Sequence, residues 1–315
     1  PVSNHPDLLV GLDAADDAAV LRPPPGKLLV QSADHFRAFL DDPYVFGQVA
    51  AAHALSDLHA MGATPWTALA IAAVPYASGA KMRAELGAML QGATEVLNAD
   101  GCSLVGGHSG EAAEPALGFA VTGLAEPTAI MRKSGLREGD VLILTKPLGT
   151  GVVLAGHMRG LAKAAWLTAA IEQMRVTNAE AARIIRSHNP TACTDVTGFG
   201  LAGHLSEMLR ASGMAAHVWI DRIPLLPGAL TLAARGVESS LAPDNRRALP
   251  DAPGDPRTAL LFDPQTSGGL LAGIPARRAE RCMADLLHAG IMAAFIGAVE
   301  APTEDMPLLR LEPSR

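Results

Sequence analysis

The chain has 315 residues, 49% of them hydrophobic and 18% charged, which is more than one compact core usually absorbs, so two domains are expected and a disordered chain is excluded. A net charge of −7 argues against a nucleic-acid surface, which presents a basic face to phosphate. No apolar run approaches the roughly 20 residues of a membrane span, so a soluble protein with no membrane partner is expected.

The start, Pro1-Val2-Ser3-Asn4-His5-Pro6, has neither the basic flank nor the apolar stretch of a secretory signal. It also lacks an initiator methionine, which suggests that the true start has been removed or was never included. Residues 1–57 hold eight acids, all aspartates (Asp7, Asp13, Asp16, Asp17, Asp34, Asp41, Asp42 and Asp57), against Arg22, Lys27 and Arg37, so five of the seven excess negative charges sit there. In Asp16-Asp17-Ala18-Ala19-Val20 two adjacent carboxylates repel, and the pair is tolerated either as a solvated turn or bridged to a cation.

An apolar run at Lys27–Ser32 predicts a strand that ends just before Asp34, where ligand groups gather in α/β folds. In Pro43–Gly62 the positions Val45, Val49, Ala52, Leu55, Leu58 and Met61 step by three or four and predict a helix closed by Gly62. Asp57 lies on it between Leu55 and Leu58, where a carboxylate is costly unless metal-bound or hydrogen-bonded, His53 one turn back being the simple partner. Strands are predicted at Thr67–Val74, Ser103–Val105 and Leu117–Thr122, with a helix over Lys81–Leu97. Val105-Gly106-Gly107-His108-Ser109 puts two glycines after a strand, a pattern of a tight turn or of amides that approach an anion.

The charged, aperiodic segment Glu126–Gly139 is the expected boundary between domains. Beyond it, strands are predicted at Val141–Leu144, His217–Ile220, Leu270–Ile274 and Ala293–Val299, and a helix over Leu201–Ser212 stopped by Gly213. Leu144 through Gly151 reads as a strand, a glycine loop and a helix start, but Lys146 precedes the glycines and no P-loop occurs. Asp195, just ahead of the Leu201 helix, caps its entry or organises a turn. Pro224–Asp255 is the longest irregular excursion, with a helical turn or two at Ala229–Arg235, and Asp263-Pro264-Gln265-Thr266-Ser267-Gly268-Gly269 reads as a structural turn. Cys102, Cys193 and Cys282 are odd in number and lack paired spacing, which points to a reducing compartment, hence the cytoplasm. Neither an H-E-x-x-H pattern nor a G-x-S-x-G elbow occurs.

This order favours an α/β (α+β) architecture with mixed sheets and helices packed on one face. Taken together, the aspartates suit Mg²⁺, because oxygen-only donors select it and an acidic cleft holds polyphosphate only through such ions.

Read in order, the motifs resemble the selenophosphate synthetases (selenide, water dikinases) of the aminoimidazole ribonucleotide synthetase-like superfamily. They are Asp16-Asp17-Ala18-Ala19-Val20, Asp41-Asp42-Pro43-Tyr44 with Phe46-Gly47, Ala54-Leu55-Ser56-Asp57 with Ala60-Met61-Gly62, Gly106-Gly107-His108-Ser109, Leu144-Thr145-Lys146-Pro147-Leu148-Gly149, Thr194-Asp195-Val196-Thr197-Gly198-Phe199-Gly200-Leu201 with Gly203-His204-Leu205, and the Asp263–Gly269 turn. The resemblance implies a two-domain fold with residues 1–125 as the ATP- and metal-binding and dimerisation domain and 138–315 as the synthetase-like C-terminal domain. It further implies ATP-dependent selenophosphate synthesis from selenide and water, with AMP and phosphate released, Mg²⁺ as cofactor and a homodimer. Asp17, Asp57 and Asp195 match the family's metal ligands, and Asp16, Asp34, Asp57, Gly106, Gly107 and His108 match its ATP-contacting positions. The family's reactive Cys or Sec and its essential lysine fall upstream of Pro1, and no residue here replaces them, so poor selenide turnover is expected of the chain until that segment is restored. Gln31-Ser32-Ala33-Asp34 and Ala14-Ala15 also depart from the family pattern, which implies weaker help for the nucleotide. The alternatives are another enzyme of the superfamily, a thiamine-phosphate kinase or purine-pathway synthetase, or a non-catalytic nucleotide-binding module.

Overall fold

The computed structural model describes residues 7–10, 18–303 and 307–312. The chain divides into two compact units, Pro1–Ile130 and Met131–Arg315.

In the first unit, β1 (Leu8–Val10) and β2 (Val20–Leu21) form a small antiparallel pair. There follow β3 (Leu28–Arg37), α1 (Pro43–Ala60), β4 (Thr64–Pro75), α2 (Gly79–Ala99), β5 (Ser103–Ala112) and β6 (Ala116–Ala125). The sheet order is β3-β6-β4-β5, antiparallel except for the parallel pair β4 and β5. Asp42 caps α1 by accepting hydrogen bonds from the amides of Tyr44, at 2.9 Å, and Val45, at 3.2 Å, while Pro43 at the first helical position loses no intrahelical bond.

The predicted stripe on α1 is only part of its apolar surface. Thirteen of its eighteen residues are buried, because the sheet lies on one side and α2 on the other. The two helices meet at glycines: a Cβ on Gly47 would stand 2.0 Å from Met89 O, and one on Gly92 2.0 Å from Tyr44 O. Phe46, Leu55, Leu58, Met89, Leu97, Leu117 and Phe119 fill the core between helices and sheet.

In the second unit β7 (Val141–Leu144) is followed by α3 (Thr150–Met158), α4 (Ala164–Arg175), α5 (Ala179–Ser187), β8 (Ala192–Asp195), α6 (Gly200–Ser212) and β9 (Ala215–Trp219). Short helices α7 (Ala229–Ala234), α8 (Ala242–Asn245) and α9 (Pro256–Ala259) precede β10 (Leu270–Ile274), α10 (Ala276–His288), β11 (Ala294–Glu300) and β12 (Leu309–Glu312). The six-stranded order is β12-β9-β11-β7-β10-β8, antiparallel apart from β12 beside β9. Leu142 and Leu144 join the core under α6; Ile143 points the other way and is equally buried, since α5 and α10 pack on that side. The stretch expected to be the longest irregular one contains α7 and α8 and is correspondingly shorter.

Candidate active site

In β3 the two-residue period of a strand turns Val30, Ser32, Asp34 and Phe36 inward and leaves Gln31, Ala33, His35 and Arg37 exposed. On α1, His53 and Asp57 are one turn apart and are the half-buried positions within an otherwise buried run from Val49 to Ala60. The two sets meet along one seam. Ser32 Oγ donates a hydrogen bond to Asp57 Oδ2, and the Phe36 ring stands edge-on to His53, with centroids 5.1 Å apart. Asp34 sits between Ser32 and Phe36 on the same face. A carboxylate on so apolar a helix is tolerated because it stays half-solvated and receives a hydroxyl. Asp16 and Asp17, like Asp13, lie outside the described residues.

Gly106, Gly107 and His108 are not brought to this seam within the unit. They lie on β5, at the edge opposite β3, three strand spacings or about 14 Å away. Gly106 and His108 pair with Leu69 and Ile71, which are 43% and 44% exposed on the sheet face that carries no helix. A glycine is required at 107 by the strand pairing, since a Cβ there would stand 2.1 Å from Ala70 O, and by its φ of +153°.

In the second unit Asp195 is the last residue of β8 and is buried. It does not cap the following helix: Phe199 occupies the cap position of α6, with no side-chain cap bond. The residues after Asp195 are held from two sides. Val196 N donates to Gly269 O at 2.8 Å and Gln265 N donates to Thr197 O at 3.0 Å, while Thr197 N donates to His204 Nε2 at 3.1 Å.

The turn Asp263–Gly269 and the segment Lys146–Gly151 form one assembly. Gln265 Oε1 accepts from the amides of Gly149 and Thr150, at 3.0 and 3.2 Å. The free donors that open α3 are thus taken up internally, and this glycine loop is not an open phosphate cradle. Burial pushes the Asp263 carboxyl up to about 7, against the pull of the Val152 amide, the Gln265 side chain and the Gly151 amide. Lys146 donates to Val176 O and, at 2.8 Å, to Ser267 O; burial brings its ammonium down to about 7, opposed by the Asp195 charge.

All three cysteines are buried. Desolvation, with Asp100 nearby, drives the Cys102 thiol up to about 12; Cys282 reaches about 12 beside Asp285, and Cys193 is raised further still. Such thiols are poor nucleophiles. Among the described residues no three His, Cys, Asp or Glu side chains converge to hold a metal ion. Asp34 and Asp57, half-buried and sharing one seam, are nevertheless hard oxygen donors of the kind Mg²⁺ takes.

Residues 15–125 match the AIR synthase related protein, N-terminal domain, and residues 137–306 match its C-terminal domain. Selenide, water dikinase from Pelobacter propionicus is 42% identical over 317 residues, covering 95% of this chain and 88% of that protein. The enzyme of the same name from Myxococcus xanthus is 40% identical over 304 residues, covering 94% and 86%. The chain belongs to the selenide, water dikinase family. Within the broader fold, thiamine-monophosphate kinase from Stenotrophomonas maltophilia superimposes with a TM-score of 0.78 at 21% identity, over 98% of this chain and 92% of that one. Hydrogenase maturation protein HypE in complex with ATP gives 0.75 at 17% identity, over 99% and 88%. These two likenesses extend the fold beyond the dikinase family. Lys146 and Asp263 were not singled out as site residues by sequence reasoning. Their signal was present in the LTKPLG and DPQTSGG motifs, but the partners are far away along the chain.

Proposed function

We propose that this protein is an ATP-dependent selenide, water dikinase that makes selenophosphate from selenide and water and releases AMP and orthophosphate. The observation that carries the reading is the identity of about 40% with selenide, water dikinases through both halves of the chain. Asp17, Asp57 and Asp195 are assigned to Mg²⁺, and Asp16, Asp34, Asp57, Gly106, Gly107 and His108 to the nucleotide. Bound there, Mg²⁺ would supply charge neutralisation for the polyphosphate and the transferring phosphoryl group. The protein's share is positioning: Ser32 orients the Asp57 carboxylate of α1, and β3 turns Asp34, two residues beyond Ser32, to the same side. The open sheet face bearing Leu69 and Ile71 suits a homodimer built through the N-terminal unit, and buried unpaired cysteines suit the cytoplasm.

The test is phosphorus NMR on the protein from the complete reading frame, given Mg-ATP with selenide, thiamine phosphate or formylglycinamidine ribonucleotide in separate reactions. Selenophosphate with AMP in the first reaction alone is the expected result, and Asp57→Asn should lower that rate at least about 100-fold. Product from either other acceptor moves the protein to a sister activity. ATP binding with neither AMP nor ADP formed in any reaction leaves a nucleotide-binding module.

A further inference from the structure

Two motifs have no part in the reaction as assigned above, Leu144–Gly149 and the Asp263–Gly269 turn. A lysine ammonium is strongly hydrated, and its burial is unfavourable unless its protons are taken up by acceptors. Lys146 keeps only 4% of its surface, and its amine is committed to two main-chain carbonyls, Val176 O and Ser267 O. Neither acceptor is local: one is 30 residues away in sequence and the other 121.

The anchored turn is itself a forced conformation. Ser267 holds φ at +49°, a region that non-glycine residues occupy only when the surroundings impose it. The next two residues approach the backbone after Asp195 as closely as atoms allow. A Cβ on Gly268 would lie 1.9 Å from Val196 O, Asn178 Nδ2 donates to Gly268 O at 2.8 Å, and Gly269 O receives Val196 N. The chain of contacts therefore runs from Lys146 through Ser267 to the two residues that follow Asp195.

We propose that Lys146 is a positioning residue for Asp195: by clamping Ser267 to the Val176 segment it presses the turn against Val196 and Thr197 and so fixes where the Asp195 carboxylate stands. The proposal rests on the reading of Asp195 as a metal ligand in selenophosphate synthesis. A cavity of about 570 Å³, lined in part by Thr145, Lys146, Val176 and Asn178, gives small molecules a route to the same place.

The experiment compares wild type, Lys146→Met and Lys146→Ala in the protein from the complete reading frame. Hydrogen exchange read by mass spectrometry should speed up at least about tenfold over residues 193–199 and 264–270 in Lys146→Met, with the α1 peptides unchanged. In selenide-dependent turnover kcat should fall about 10- to 100-fold, with KM for ATP moved less than about threefold. Ethylammonium should restore part of kcat to Lys146→Ala through the cavity and do nothing for Lys146→Met, whose side chain fills the space. Unchanged exchange in both segments of folded Lys146→Met overturns the proposal, as does a lower melting temperature with kcat intact. Should Lys146→Met fail to fold, Lys146→Gln, which keeps a shorter donor, is read by the same exchange comparison. If wild type makes no selenophosphate, the functional reading falls, while exchange at 193–199 still decides whether Lys146 fixes the Asp195 segment.

Discussion

Replacing Asp263 by Asn removes a buried titration while keeping an oxygen directed at the start of α3. In the folded protein burial raises the Asp263 carboxyl to about 7, from an ordinary value of 3.8. Below pH 3.8 both folded and unfolded chains carry the proton. As pH rises, the unfolded chain ionises first, so the stability this group contributes at low pH is lost progressively until pH passes the folded value near 7. Each pH unit well inside that window corresponds to about 1.4 kcal/mol, and the slope flattens as the folded carboxyl ionises near 7, so between pH 5 and pH 7 the wild type should lose about 2 kcal/mol relative to Asp263→Asn, and nothing more above pH 8. Lys146 and every other titrating group are common to both proteins and cancel in the difference. Urea unfolding followed by far-UV circular dichroism at pH 5, 6, 7 and 8 gives the two curves. A wild-type-minus-variant difference flat within about 0.5 kcal/mol would refute the reasoning. It would mean that the carboxyl is already ionised in the fold and satisfied by the α3 amides.

Three further outcomes follow from packing. Gly47→Ala and Gly92→Ala should each destabilise by about 1–3 kcal/mol, since each Cβ meets an opposing carbonyl oxygen at 2.0 Å, whereas Gly87→Ala, with open space around it on the same helix α2, should stabilise by about 0.5–1 kcal/mol; thermal melts of the three variants order them. Native protein at pH 8 should take up iodoacetamide very slowly, because Cys102, Cys193 and Cys282 are buried and their thiols are held protonated; rapid labelling of any one by intact mass would contradict this. If the proposed homodimer forms through the open sheet face, Ile71→Lys at its centre should shift sedimentation velocity from dimer to monomer, and a profile the same as wild type would refute that interface.

The sequence made β7 and β10 legible to the residue, because Val141–Leu144 and Leu270–Ile274 are continuous apolar runs with polar or glycine ends. It placed β3, β4 and β5 but cut them short: the ends of β3 and β5 carry mostly polar or small residues, and β4 begins at Thr64-Pro65 ahead of the buried Trp66, where a proline masks the start of the strand. β8 left no trace: Ala-Cys-Thr-Asp is too short and mixed to show a period, although it carries Asp195. Asp34 and Asp57 could be paired only through the family resemblance, because the seam that joins them forms when β3 and α1, remote in local pattern, pack together. Lys146 was hidden for the same reason. Its acceptors are carbonyl oxygens, and any residue can supply a carbonyl, so no side-chain pattern announces them.

The glycine crossing of α1 and α2 has a consequence for how this unit tolerates change. With Gly47 under one main-chain oxygen and Gly92 under another, the distance between the rods is fixed by peptide groups meeting directly, whatever the surrounding Leu and Met side chains do. The bearing of Asp57, nearly three turns beyond Gly47 along α1, is therefore inherited from polypeptide touching polypeptide. Drift in core composition can proceed around such a hinge pin without moving the acid that it aims.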